Sequence, residues 1–183
     1  ASLIRKDVPP FIKAAREPLT FAGVNSVGLR RRGYEEDRIR QIEDVYRTIY
    51  IQNSNVSSNA VRDGGYGGGF FMAKNAKGIV EENSLVHNNI ATKGGAAYIE
   101  YQSSFWLKHS VMSENIAKYD AGGVYLNSAL MVAVDATISE NMAYDEGGAV
   151  NVQNGGNLTC DRTRFVKNLV GGPEDTGAGI GSV

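Results

Sequence analysis

Cysteine is almost missing: Cys160 stands alone among 183 residues, which excludes an intramolecular disulfide framework. With only two histidines, His87 and His109, the chain also has too few ligands for a Cys/His zinc site. No apolar run reaches the ~18 to 20 residues that a membrane helix needs, so no membrane span is expected. No signal peptide opens the chain, although it begins at Ala1, so a removed leader or a lost upstream region is compatible with it. An excess of one charge is lacking as well. The 19 Lys and Arg face 20 Asp and Glu, a formal charge of −1, which gives no electrostatic reason to expect nucleic acid.

Glycine is scarce only at the start. Gly23, Gly28 and Gly33 are the three in residues 1 to 61, and 19 fall in residues 62 to 183. Charge divides at the same place, with 10 basic against 7 acidic residues before position 62 and 9 against 13 after it. The composition predicts two segments, 1–61 and 62–183, joined near Val61 to Gly64.

In the first segment, Ile39, Ile42, Val45, Tyr46, Ile49 and Tyr50 recur at three- and four-residue steps, which predicts an amphipathic helix over 35–50. Glu35, Glu36 and Asp37 place negative charge at its start, where the helix dipole favours it. Val8-Pro9-Pro10 does not fit a helix interior, so residues 1 to 33 read as extended chain and loop. The stripe along the helix needs a partner, either the first coil of the following segment or a second copy of the chain.

Lys6-Asp7-Val8-Pro9-Pro10-Phe11, Arg16-Glu17-Pro18-Leu19 and the string Gly23 to Tyr34, with Gly28-Leu29-Arg30-Arg31-Arg32-Gly33-Tyr34 at its end, carry a resemblance. Over about one third of its length the chain resembles the C-terminal part of acyl-(acyl carrier protein):UDP-N-acetylglucosamine O-acyltransferases of the lipid A pathway. The resemblance implies that Asn25, Arg31 and Arg32 contact the UDP-sugar and that acyl carrier protein is a partner. It also implies a trimer whose C-terminal helices pack beside the neighbouring subunit. Val27 stands where the family often has an acidic residue. The family's general base is a histidine inside a left-handed hexapeptide helix that precedes the string, and His87 and His109 have no matching surroundings. Acyl transfer by this chain alone is therefore not expected. Without the resemblance, Arg30 to Arg32 read as a solvated loop.

The second segment is a repeat. Asn89-Ile90-Ala91, Asn115-Ile116-Ala117, Asn141-Met142-Ala143 and Asn168-Leu169-Val170 follow one another at steps of 26, 26 and 27 residues. Gly94-Gly95, Gly122-Gly123 and Gly147-Gly148 follow the first three, and a looser copy holds Gly67-Gly68-Gly69. Units of this length, with two or three short strands and no helix, predict a mainly β fold: a parallel β-helix of four to five coils. The asparagines Asn89, Asn115, Asn141 and Asn168 are expected to stack as an amide ladder at one corner. The glycine pairs supply turns and close backbone approach. Gly147-Gly148-Ala149-Val150 and Phe165-Val166-Lys167-Asn168 resemble the boxes of polymorphic outer-membrane proteins and adhesin-like β-helices, which implies a right-handed, pectin-lyase-like coil. Ala97 and Ile99 suggest one inward phase and Val124 and Leu126 the other, so the core register stays open.

Three further features admit a function. Asp120, Asp145 and Asp175 precede glycine pairs or their counterpart, where calcium or paired-acid chemistry on polysaccharide stands against ordinary solvated turns. Trp106, Tyr98 and Tyr125 would contact carbohydrate by ring stacking, against the commoner packing between coils. Cys160 reads as a buried apolar thiol. No cofactor is implied. The expectation is a composite or truncated chain: a non-catalytic β-helix scaffold carrying an acyltransferase remnant, with a fragment of that enzyme or a polysaccharide-binding or polysaccharide-cleaving protein as alternatives. The first segment points to the cytoplasm and the second to the cell surface or secretion.

Overall fold

A computed structural model describes residues 11–15, 20–61, 64–171, 177–178 and 181–182, which form two compact units, Ala1–Thr48 and Ile49–Val183. The composition changes later, near Val61 to Gly64, because the strands that open the second unit contain no glycine. Among the described residues no helix is long and apolar enough to cross a membrane.

The first unit pairs strand Ile12–Ala15 with Thr20–Val24 in an antiparallel hairpin. Helix α1, Ser26–Arg31, follows directly, where the sequence reading placed only extended chain and loop. A six-residue helix is too short to show a periodic stripe, so its signal lies in its ends. Asn25 caps the start, its Oδ1 accepting from Gly28 N–H at 3.1 Å, and Gly33 ends it at φ +81°. Helix α2 spans Glu36–Arg47. The stretch Thr48–Gln52, whose start lay in the expected helix 35–50, is strand. Its β-branched residues suit the sheet that opens the next unit. Ile39 and Leu29 are buried together with Val24, and Tyr34 and Ile42 pack on them. The stripe is thus partly covered within its own unit, while Val45 is exposed.

The second unit is a parallel β-solenoid of about four turns with four sides, so each turn holds four short strands where two or three were expected. One complete turn runs Ala97–Ile99, Ser104–Lys108, Val111–Ser113 and Ile116–Ala117. Each strand pairs in parallel with its equivalents in the turns before and after. Strands of two or three residues are too short for periodicity to reveal, and their hydrogen bonds all go to neighbouring turns.

Stacking sets the register that the sequence left open. Ala97 lies beside Val124 and Ile99 beside Leu126, so both pairs point inward in a single phase. The apparent conflict came from matching glycine pairs. Gly94 and Ala121 donate their N–H groups to Asp120 and Glu146 of the following turn, so Ala121-Gly122-Gly123 occupies the place of Gly94-Gly95-Ala96. Ala121 accordingly has φ +61°, beside +63° for Gly94 and Gly147. A Cβ opposes this backbone by about 1 to 2 kcal/mol, partly offset by the entropy that glycine loses on folding. Ala121→Gly is therefore expected to raise stability by roughly 0.5 to 1 kcal/mol in denaturant unfolding, and a destabilised variant would contradict the register.

The core consists of inward columns. Met72, Ile99 and Leu126 form one, and Val80, Leu107 and Ala133 another. Val86, Met112 and Ile138 stack on the third side, with Phe165 beyond them. Cys160 continues the Leu107–Ala133 column, yet it is exposed rather than buried. No described strand pairs beyond Asn157–Asp161 to cover it.

Candidate functional site

In the first unit the α1 turn carries Asn25, Arg31 and Arg32. A cleft of ≈ 240 Å³ is lined by Phe11, Asn25, Gly28, Leu29 and Arg32. Gly28 is required by the cap itself, since a Cβ there would lie 2.6 Å from Asn25 Nδ2. Leu29 anchors the turn from below, buried against Val24 and Ile39.

The three consecutive arginines do not behave alike. Arg30 forms a fork on Glu36, with Nη2 donating to Oε2 at 3.0 Å and Nε donating to Oε1. This pair joins the end of α1 to the first turn of α2. It raises Arg30 and holds the Glu36 carboxyl below its usual range, the hydrogen bond being the largest cause. The attraction is therefore present at neutral pH and lost as the pH falls through the depressed carboxyl. Both groups are exposed, which limits its effect on stability but not on geometry, because a planar fork fixes direction. Arg31 and Arg32 are exposed and carry no ion pair among the described residues. Asn25, Arg31 and Arg32 thus lie on one turn, with Asn25 and Arg32 on the same cleft. Val27 is solvent-exposed. The sequence reading did not single out Phe11 or the Arg30–Glu36 latch. The latch spans six residues across a turn, a spacing that no helical pattern displays.

On the solenoid, the asparagines do form a ladder. Asn89, Asn115 and Asn141 each donate from Nδ2 to the next Oδ1, at 2.9, 2.8 and 2.9 Å. Their backbone N–H groups reach the same oxygens at 3.0, 3.1 and 3.1 Å. Asn59 begins the ladder by donating to Asn89 Oδ1 at 2.9 Å. It was missed because its step to Asn89 is 30 residues rather than 26, although Asn59-Ala60-Val61 follows the same pattern.

Tyr98 and Tyr125 are buried and stack with centroids 5.0 Å apart and planes at 4°. Phe71 and Tyr66 stack on Tyr98 at 5.7 and 4.8 Å, so its ring faces meet neighbouring coils. Trp106 is half-buried under Lys77, whose Nζ is 5.3 Å from the ring centroid. Asp120 is buried and paired with Lys93, Asp145 is exposed, and Asp175 lies outside the described residues. Among the described residues no three His, Cys, Asp or Glu side chains gather as a metal site.

A second cleft, ≈ 430 Å³, runs along a solenoid corner past Asn83, His109, Ser110, Asp135 and Thr137. His109 Nδ1 is 3.8 Å from Asp135, which superficially suggests a triad with Ser110. The hydroxyl of Ser110 donates to Lys108 O at 2.7 Å, and Ser110 is buried. Asp135 is gripped by Arg162 at 2.6 and 2.9 Å, which holds its carboxyl below the usual range. With no serine-to-histidine bond, the nucleophile lacks its base. His87 Nδ1 faces the Asn88 amide at 2.8 Å, while its Nε2 is buried with no hydrogen-bond partner among the described residues.

Comparison with known proteins concerns the first unit chiefly. Residues 7–64 match the family model described as UDP N-acetylglucosamine O-acyltransferase, domain 2. The acyl-(acyl carrier protein):UDP-N-acetylglucosamine O-acyltransferase of Halorhodospira halophila is 51% identical over 49 residues, 27% of this chain and 19% of that protein. The enzyme of the same name from Paracidovorax citrulli is 37% identical over 60 residues, 33% of this chain and 23% of that protein. No solved structure matches. The α1 turn and its cleft therefore lie in a segment similar to domain 2 of these acyltransferases, and the chain spans about a fifth of the length of the curated relatives it matches.

Proposed function

We propose that the first unit is a nucleotide-sugar contact segment of the kind found in acyl-(acyl carrier protein):UDP-N-acetylglucosamine O-acyltransferases, with Asn25, Arg31 and Arg32 meeting the UDP-sugar. The observation that carries this reading is the cleft where Asn25 and Arg32 converge while Arg30 is diverted to Glu36. Two guanidinium groups on one short turn, with no ion pair among the described residues, suit a diphosphate, whose oxygens accept charge-assisted hydrogen bonds in a forked geometry. In the complete reaction a 3-hydroxyacyl group passes from acyl carrier protein to a sugar hydroxyl, whose proton a general base must take. His87 and His109 belong to the solenoid and are held by Asn88 and beside Asp135, so binding rather than turnover is assigned to this chain.

The solenoid is read as a non-catalytic scaffold, right-handed and adhesin-like in its repeat. Its inward asparagines bond to one another, Ser110 to Lys108 and Asp120 to Lys93, which leaves those groups no free chemistry. Self-association through α2, as a trimer, belongs to the same proposal and is read by sedimentation.

Calorimetry with UDP-N-acetylglucosamine tests the assignment. Binding is expected, with Arg31→Ala and Arg32→Ala each weakening it about tenfold, as fits the loss of a hydrogen bond to a charged group. Assays with 3-hydroxyacyl carrier protein are expected to show no transfer. Turnover that disappears in Arg31→Ala would replace the binding assignment with the full acyltransferase reaction, and absence of binding at millimolar ligand would remove the nucleotide-sugar reading.

A further inference from the structure

We infer that Phe11 is the stacking platform for the pyrimidine base of the nucleotide-sugar, an assignment that rests on the nucleotide-sugar reading of the cleft. Phe11 lines that cleft together with Asn25 and Arg32, and it is 38% exposed although it is a large apolar residue. Its aromatic contact is edge-to-face with Tyr34, centroids 6.1 Å apart and planes at 60°. A pair of this kind occupies at most one face of either ring, so a face of Phe11 stays available for a flat ligand.

The backbone supports the same conclusion independently. Phe11 has φ +66°, a region that bulky side chains avoid. Elsewhere positive φ falls mainly on Asn, Ser, Asp and Glu at solenoid corners, and Phe11 is the one non-glycine residue of the first unit that adopts it among the described residues. The conformation is held by Asn25, whose N–H donates to the Phe11 carbonyl at 2.7 Å. One asparagine therefore caps α1 through its side chain and sets the aromatic ring through its backbone. Strain retained beside a cleft, where glycine or asparagine would relieve it, points to a use for the ring.

The division of labour follows from chemistry. An uncharged heteroaromatic base stacks on an aromatic face with little regard to hydrogen bonding, while the phosphates are drawn to Arg32. A cleft of ≈ 240 Å³ is below the usual range for a whole drug-sized ligand and suits the base with the adjoining phosphate on Arg32, the sugar lying outside it.

The test is calorimetry on the full chain with three probes: UDP-N-acetylglucosamine, UDP, and N-acetylglucosamine 1-phosphate, which has no base. Phe11→Ala and Phe11→Asn are expected to weaken the two uridine probes roughly tenfold, the loss of one stacked base. Phe11→Tyr keeps the affinity, and all variants bind N-acetylglucosamine 1-phosphate equally. Asparagine tolerates the left-handed backbone, so Phe11→Asn guards against a result due to misfolding. Unchanged binding of UDP-N-acetylglucosamine by Phe11→Asn overturns the platform and leaves the nucleotide-sugar reading standing. Equal weakening of the base-free probe also overturns it, as a collapse of the cleft. An unaltered chain that binds neither uridine probe overturns the underlying reading itself.

Discussion

Asn141→Ala is expected to lower the stability of the solenoid by about 3 kcal/mol, because several buried groups lose partners together, each at about 1 to 3 kcal/mol. Asn141 is fully buried. Its Oδ1 accepts from Asn115 N–H at 3.1 Å and from Asn115 Nδ2 at 2.8 Å. Its own Nδ2 donates to Met112 O at 3.1 Å and Asn168 Oδ1 at 2.9 Å. Alanine removes both sets at once, at a position buried from solvent. Asn157→Ala, at an exposed position of the same unit, is expected to stay within about 0.5 kcal/mol. Urea unfolding of the three proteins is the measurement. A change in midpoint without a change in slope identifies lost stability rather than altered compactness. The double variant Asn115→Ala/Asn141→Ala is expected to cost less than the two singles combined, since each single already removes the Asn115 Nδ2 to Asn141 Oδ1 bond.

Gly147→Val is expected to cost more, of the order of 4 kcal/mol or above, the range reached when backbone strain and overpacking coincide. Gly147 has φ +63°, which a β-branched residue opposes through its own backbone. A Cβ there would also lie 2.7 Å from Val150 O and 2.9 Å from Asn151 Cβ. Neither atom is free to retreat, because Val150 belongs to a strand paired with Val124 and Asn151 is buried. Loss of cooperative unfolding or of soluble protein is the expected result. A melt indistinguishable from the parent would remove the stacked-coil geometry from which both predictions come.

The coil length was legible in the linear chain because its asparagine and glycine positions answer to local demands. A corner amide needs an identical amide one turn away, and a tight left-handed turn needs glycine, so both recur at nearly constant spacing. The Asn25 to Tyr34 string was legible only through its resemblance, since a helix of six residues shows no stripe of its own and the residues alone read as loop. Other features depend on residues that meet only after stacking. Ala121 occupies the glycine position of its turn, while the conspicuous Gly122-Gly123 pair sits one place later. Tyr98 and Tyr125 are packed ring on ring, and Ser110, next to His109, turns its hydroxyl away to a carbonyl. Arg30 leaves the arginine run to grip Glu36, and Phe11 is held strained by a carbonyl bond to Asn25. Cys160 follows an inward column and is still exposed, since burial depends on a neighbour above as well as on direction. Chain order specifies what each turn can offer at its corners. Strands of two to five residues have too few alternations to choose a face alone, so their register, and with it every cross-coil contact, is set by the turns they stack upon.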